Sequence, residues 1–226
     1  MSCDTQSFSF WILSVAPLAA GGEHAYERAL HTFEAIGGNA DCTIIGSKHR
    51  MPVTSAVMLN GILIRELDLN DAYVGPGQMG HPSDNIAVAL SVGEKQRSSG
   101  LDVLASVIAG YELYCRIQDI IVGRGPWDHV TASALAAPAI AGRLLEFGGR
   151  PARQRDGAIG RSWATPYLRF VPDNFRMPRP WPMPSWLTRG RSAACFASRG
   201  TTGPLSIFEG KGGSIRHSLP GPILTC

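Results

Sequence analysis

Lysine is scarce in this sequence, and long apolar runs are missing from it. Only Lys48, Lys95 and Lys211 are lysines among 226 residues, so arginine supplies most of the positive charge. No apolar stretch reaches the ~18 uninterrupted residues that a membrane-spanning helix needs, and the mean hydropathy is +0.01. We therefore expect no membrane-spanning segment and no membrane partner.

Paired cysteines are missing as well. The five cysteines are scattered and form no C-x-x-C pair, which disfavours a disulfide framework, a zinc site and a redox motif. The apolar stretch from Phe8 to Ala20 resembles a signal-peptide core, but Asp4 precedes it and no Lys or Arg does, which disfavours secretion. We expect reduced thiols in a cytoplasmic protein.

The chain is poor in charge but has enough apolar material for a core. Apolar residues make up 44% and charged residues 17%, which fits one large or two small domains and excludes a wholly disordered chain. Residues 151–200 contain nine Arg and two acidic residues, a charge of +7, so the rest carries −4 within the total of +3. Seven prolines in that stretch disfavour a regular helix or strand on which the arginines could form a nucleic-acid-binding face. We therefore expect no nucleic-acid partner.

The same segment is a break in composition. From Arg176 to Trp186 four prolines fall within seven residues, a pattern that disfavours a helix and is typical of an extended linker. The sequence predicts an irregular segment at 150–197.

Apolar residues recur at helical spacing in four stretches between residues 50 and 150, where no alternating strand pattern is found. These stretches are Thr54–Leu67, His81 to about Gln96, about Asp102 to Ile117 and Val130–Phe147. Ser83 or Asp84 is placed to cap the second helix, and Pro138 should kink or divide the fourth. Only Asp41–Gly46 favours an extended conformation. The predicted fold class is predominantly α.

Polar residues cluster in three segments that lie at predicted helix ends: Glu66–Tyr73, His81–Asn85 and Trp127–Thr131. Taken singly, each is typical of solvated acids or of a structural histidine. Loops at helix ends can converge, so the three together form a candidate site.

The residues of these segments and their order along the chain are similar to those of a known family. An LDxND run is followed about ten residues later by HPSDN and about forty-five residues after that by DHVT. The stretches concerned are NGILIRELDLNDAY (Asn60–Tyr73), HPSDNIAVALSVGE (His81–Glu94), YELYCRIQD (Tyr111–Asp119), WDHVTASALAAPAIAGRLL (Trp127–Leu145) and TGPLSIFEGKGG (Thr202–Gly213). They resemble the MmgE/PrpD family, which includes 2-methylcitrate dehydratase and cis-aconitate decarboxylase.

The resemblance implies a large, mostly helical domain joined to a smaller α/β lid domain, in a homodimer without metal or organic cofactor. It also implies a site that binds a citrate-like tricarboxylate, and it matches Asp68, His81 and His129 to positions that line this site. Elimination of water needs a base for a carbon-bound proton and an acid for the departing hydroxyl. We expect His129 or His81 to handle the proton and Asp68 to orient a histidine or the substrate hydroxyl.

Four more polar residues belong to the candidate site: Asp71, Tyr73, Ser83 and Asp84. We expect them to contact the substrate, to orient Asp68, His81 and His129, or to cap helices. The alternative is a purely structural role. Three carboxylates also need Arg, Lys or protonated His partners.

The sequence departs from the family pattern in two ways. Family members are much longer, so we expect the α/β lid domain to be largely missing. The family's site lysine, in a W-K-G-like motif, has no counterpart, because no Lys lies between Lys95 and Lys211 and Lys211 is not equivalent. Likeness fades near Gly149 and returns near Ser198, so residues 151–197 are either a shifted reading frame or strongly diverged sequence.

We divide the chain accordingly into a divergent N-terminal segment (1–39), a helical family-like core (40–149), the irregular segment (150–197) and a short family-like island with a tail (198–226). Two functions stay open. The first is a lyase resembling 2-methylcitrate dehydratase of propionate metabolism, whose activity in this chain is in question because of the missing lysine. The second is a catalytically silent helical remnant that acts only in self-association or partner binding.

Overall fold

The computed structural model describes residues 17–75, 79–120, 129–146 and 182–199, and this part of the chain is mainly helical. The α-helices are α1 (His24–Ile36), α2 (Val53–Arg65), α3 (Ile86–Gln96), α4 (Gly100–Ile120), α5 (Val130–Leu144) and α6 (Pro182–Ser198). Short 3₁₀ turns lie at Ala20–Gly22 and Pro82–Asn85. Two antiparallel hairpins pair β1 (Cys42–Thr43) with β2 (Arg50–Met51) and β3 (Tyr73–Val74) with β4 (Met79–Gly80). The prediction of a predominantly α fold is confirmed.

Helix α2 forms the centre of the core. Every residue from Ser55 to Ile64 is buried, and Leu59, Ile62 and Leu63 have no exposed surface. A helix that is apolar on all sides has to be enclosed by its neighbours, and α3 and α6 pack against it. Each such side chain stabilises the fold by about 1.5–3 kcal/mol when buried. Because α2 is held firmly in the core, its last residue, Arg65, and the start of the polar loop that follows have a fixed position.

Asn60, a polar side chain on α2, ties the β1–β2 hairpin to the helix. Its Oδ1 accepts a hydrogen bond from the N–H of Ile45 at 2.9 Å. Its Nδ2 donates to the carbonyl of Thr43 at 3.1 Å and to the hydroxyl of Ser91 at 3.3 Å. Both ends of this buried amide therefore have partners, as burial of a polar group requires.

Small residues let the helices approach one another closely around α5. A Cβ atom at Gly190 of α6 would lie 2.7 Å from Cβ of Ala137 and 2.8 Å from Cδ of Pro138, both on α5. On α4, the side chain of Ile140 occupies the space that a Cβ atom at Gly110 would need. These contacts fix α5, and with it the position of the residues at its start.

The prediction of an irregular segment at 150–197 is wrong for its last part, because α6 begins at Pro182. Pro182 and Pro184 stand at the first and third positions of this helix. The N–H groups of the first turn have no acceptor within a helix, so proline removes no hydrogen bond there. Residues 150–181 lie outside the described ranges.

Two predictions about helix ends and interiors also need correction. Neither Ser83 nor Asp84 caps α3, since their side-chain oxygens accept hydrogen bonds from Asn70 instead. Pro138 does not divide α5, which is continuous from Val130 to Leu144. Proline removes one hydrogen bond, and burial of almost the whole helix outweighs that loss. A kink at Pro138 stays a prediction.

Trp127, Asp128 and the family-like stretch at 202–213 lie outside the described residues, and the domain boundaries stay predictions. In the part of the chain that the structure describes, no helix combines the length and the apolarity that crossing a membrane would require.

Candidate functional site

The two candidate histidines meet at one place in the fold. His81 directly precedes the 3₁₀ turn Pro82–Asn85, and His129 directly precedes α5. Their imidazole rings stand edge to face, with ring centroids 5.5 Å apart and an interplanar angle of 80°. Residues 48 positions apart in sequence are thus neighbours in the fold.

Tyr114 of α4 links the backbones of both histidines. Its hydroxyl accepts a hydrogen bond from the N–H of His81 at 3.1 Å and donates one to the carbonyl of His129 at 3.2 Å. Tyr114 is fully buried, and burial raises its pKa well above the ordinary value of 10.0. The hydroxyl therefore stays protonated and serves as a fixed bridge between the two segments.

The chemical environment of His81 fixes its tautomer. Its Nδ1 lies 2.6 Å from the carbonyl oxygen of Asp71, and because a carbonyl can only accept, Nδ1 carries the hydrogen. Burial lowers the pKa of His81 below 6.5; the bond to Asp71 opposes this, and Arg65 and His129 add to it. His81 is therefore neutral at pH 7, with its basic lone pair on Nε2.

The end of α2 brings a cation to the same site, and the loop after α2 holds that cation. Asp68 adopts a left-handed backbone conformation with φ of 56°, which Asp tolerates better than most residues. Its carboxylate lies 2.6 Å from Nη1 of Arg65, the last residue of α2. The same Nη1 donates to Oδ1 of Asn70 at 3.3 Å. The reversal of the chain at Asp68 thus folds the loop back onto Arg65.

Asn70 and Asp71 join this loop to the 3₁₀ turn. Nδ2 of Asn70 donates to Oγ of Ser83 at 3.1 Å and to Oδ1 of Asp84 at 3.3 Å. Oδ1 of Asp71 accepts the N–H of Ser83 at 3.1 Å, while its carbonyl holds His81. One continuous network therefore runs from Arg65 to His81.

Asp84 is the buried acid of this network. It has no exposed surface, and burial raises its pKa from 3.8 to about 7, against the opposing effect of Arg65 and His129. Its Oδ1 is bonded to Asn70, whereas Oδ2 has no hydrogen-bond partner among the described residues. The carboxyl group of Asp84 therefore changes between its protonated, neutral form and its ionised form near neutral pH.

The structure brings six of the seven predicted residues together, whereas the hydroxyl of the seventh, Tyr73, bonds to a residue outside this set. The six are Asp68, Asp71, His81, Ser83, Asp84 and His129. The hydroxyl of Tyr73 instead donates to both carboxylate oxygens of Asp119, at 2.9 and 3.0 Å. The roles assigned to all seven residues stay predictions.

Sequence reasoning missed three residues of this site: Arg65, Asn70 and Tyr114. The expected need for a cation beside a tricarboxylate, together with an Arg three positions before Asp68, was a signal for Arg65. Asn70 lies inside the LDxND run, whereas Tyr114 has the spacing of a core residue and gave no separate signal. In the described ranges no group of three His, Cys, Asp or Glu side chains is placed to hold a metal ion.

A family model supplies the comparison with known proteins. The model of the MmgE/PrpD N-terminal domain matches residues 13–225. The chain belongs to the MmgE/PrpD family. The match includes every segment of the site described above, and it also extends over residues 13–39 and 150–197, where the sequence itself shows little likeness. The MmgE/PrpD family is a dehydratase-like family.

Proposed function

We propose that this chain is a lyase of the 2-methylcitrate dehydratase type, which eliminates water from a citrate-like tricarboxylate. The observation that carries the proposal is the His81–His129 pair, with the tautomer of His81 fixed by Asp71. Elimination needs two proton-transfer groups next to each other, one basic and one acidic. Two imidazoles 5.5 Å apart fit that need.

In this proposal Nε2 of His81 accepts the carbon-bound proton, because it is the ring atom that keeps a free lone pair in the neutral form. His129 gives a proton to the departing hydroxyl, which leaves as water, and the electron pair of the broken C–H bond forms the new double bond. Asp68 holds the side chain of Arg65, and the carbonyl of Asp71 orients the ring of His81.

A second candidate function is self-association without catalysis, the homodimer included. Helix α4 exposes apolar side chains at helical spacing, with Leu101 78%, Leu104 42% and Ile108 46% exposed. Exposed apolar stripes of this kind favour association between proteins. The absence of a lysine between Lys95 and Lys211 also favours a chain without turnover.

A turnover and binding experiment separates the two functions. The 226-residue chain is incubated with 2-methylcitrate and with citrate, and formation of the carbon–carbon double bond is followed by ultraviolet absorbance. His81→Gln and His129→Gln are each expected to lower kcat by about 10²–10⁴-fold. His31→Gln is the matched control, because His31 lies exposed on α1, and it should leave kcat unchanged.

Thermal unfolding with and without substrate completes the experiment, because a ligand of the native state raises the Tm whether or not turnover occurs. Stabilisation without turnover would retain the tricarboxylate site but reject the lyase. If the chain shows no turnover and the substrate does not raise its Tm, the proposal is rejected and self-association is favoured.

A further inference from the structure

We propose that Arg65 is a substrate-binding residue of this site, whose Nε and Nη2 atoms bind one carboxylate of a polycarboxylate substrate as a bidentate pair. This inference rests on the proposed function and names a group that recognises the substrate. The guanidinium fork matches the two oxygens of a carboxylate, which makes such pairs stronger than single hydrogen bonds.

The first argument is the distribution of hydrogen bonds around the guanidinium. Both side-chain bonds of Arg65 in the described ranges use Nη1, one to Asp68 and one to Asn70. Nε and Nη2 therefore donate to no protein acceptor within those ranges. A guanidinium has five N–H donors, so the edge formed by Nε and Nη2 is available to a ligand.

The second argument is that this edge is held in a fixed orientation. Asn70 accepts from Arg65 and at the same time donates to Ser83 and Asp84. The amide cannot rotate without losing these bonds, so Nη1 is anchored from two sides. The side chain of Arg65 is only 13% exposed. A cation positioned in advance loses little conformational freedom when it binds a carboxylate.

The third argument is the location of the charge. Arg65 lies close enough to His81 and Asp84 to act electrostatically on both. A carboxylate bound at Arg65 would therefore be within electrostatic range of His81, where the proposed reaction removes a proton next to a carboxylate. The side chain of Asp68 is 48% exposed, and its hydrogen bond to Arg65 uses Nη1, so this bond does not occupy the Nε–Nη2 edge.

Binding of unreactive carboxylates tests this inference without turnover. The affinities of wild type, Arg65→Gln and Arg65→Lys for propane-1,2,3-tricarboxylate and for glutarate are measured by titration calorimetry. Arg65→Gln should weaken tricarboxylate binding by about ten- to hundredfold and reduce the preference for three carboxylates over two. Arg65→Lys retains the charge but not the fork, so it should fall between the other two proteins.

The matched control is Arg116→Gln, because Arg116 pairs with Glu112 on the exposed face of α4 and should bind both ligands like wild type. Circular dichroism and thermal unfolding without ligand show that each variant is folded, and Arg65→Lys keeps a cation beside Asp68 if Arg65→Gln unfolds. If wild type binds the tricarboxylate and both Arg65 variants bind it equally well, Arg65 is not a substrate ligand, although the proposed function survives. If wild type binds neither compound, both proposals fail.

Discussion

The hydroxyl group of Tyr114 occupies the space that a Cβ atom at Gly80 would need. Gly80 directly precedes His81, so the absence of a side chain at this position allows Tyr114 to reach the backbone of both histidines. The close approach of the two candidate catalytic residues thus depends on a glycine and a tyrosine that take no part in the chemistry.

Gly80→Ala should therefore displace the Tyr114 hydroxyl and destabilise the protein by about 1–3 kcal/mol. Tyr114→Phe should also destabilise it, by about 1–3 kcal/mol, because the buried N–H of His81 loses its acceptor. In the double variant the missing hydroxyl makes room for the alanine, so its loss should be smaller than the sum. Urea unfolding measures all three, with Gly21→Ala as the control, since no atom lies within 4 Å of a Cβ there. Additive losses would contradict the contact.

Asp84 should make the stability of the protein depend on pH. Its pKa is about 7 in the folded protein and 3.8 ordinarily, so between these values the folded state binds more protons than the unfolded state. The free energy of unfolding should therefore fall as pH rises from about 4 to about 7, by about 4 kcal/mol in total. Below pH 4 this loss is absent, and above pH 7 it is complete.

Asp84→Asn should remove this contribution, because asparagine does not titrate. Urea unfolding at intervals between pH 4 and pH 8 should show the variant gaining stability relative to wild type as pH rises. Ser83→Ala is the matched control: it removes the neighbouring acceptor of Asn70 but keeps the acid, so it should retain the wild-type slope. A constant difference between Asp84→Asn and wild type at every pH would mean that Asp84 does not titrate in this range.

The four helices α2 to α5 were predictable because their signal lies within each segment, whereas the site depends on contacts between segments. Apolar spacing alone locates α2, α3, α4 and α5 to within a few residues. The network around Arg65 requires the left-handed backbone at Asp68 and the contact of Asn70 with Ser83, 13 positions further along the chain. The spacing of apolar residues predicts neither of these features.

The missed helix α6 has a different cause. Proline disfavours a helix interior, so a dense group of prolines predicts that the whole segment is not helical. The rule does not apply to the first turn, and the last two prolines of the group fall there. A sequence that places prolines immediately before an apolar-spaced stretch is thus compatible with a helix start.

The three hydrogen bonds of the Asn60 side chain predict a large loss of stability when this residue is replaced. Asn60→Ala removes the partner of the Ile45 N–H and the Thr43 carbonyl, and buried groups left without partners cost about 1–3 kcal/mol each. We expect a total loss of about 2–4 kcal/mol in urea unfolding. Ser91→Ala removes only the longest of the three bonds, so it should cost less than about 1 kcal/mol. Equal losses from both variants would contradict the stabilising role of the bonds from Asn60 to Ile45 and Thr43.

The close crossing of α5 and α6 predicts that Gly190 tolerates no side chain. Gly190→Ala places a methyl group 2.7 Å from Cβ of Ala137 and 2.8 Å from Cδ of Pro138, distances at which the helices have to separate. We expect a loss of about 1–3 kcal/mol in urea unfolding. Gly100→Ala is the matched control, because Gly100 starts α4 and no atom lies within 4 Å of a Cβ there. Since alanine favours a helix over glycine by about 1 kcal/mol, this control should be neutral or stabilising. A stabilising Gly190→Ala would mean that α6 does not pack against α5 at this residue.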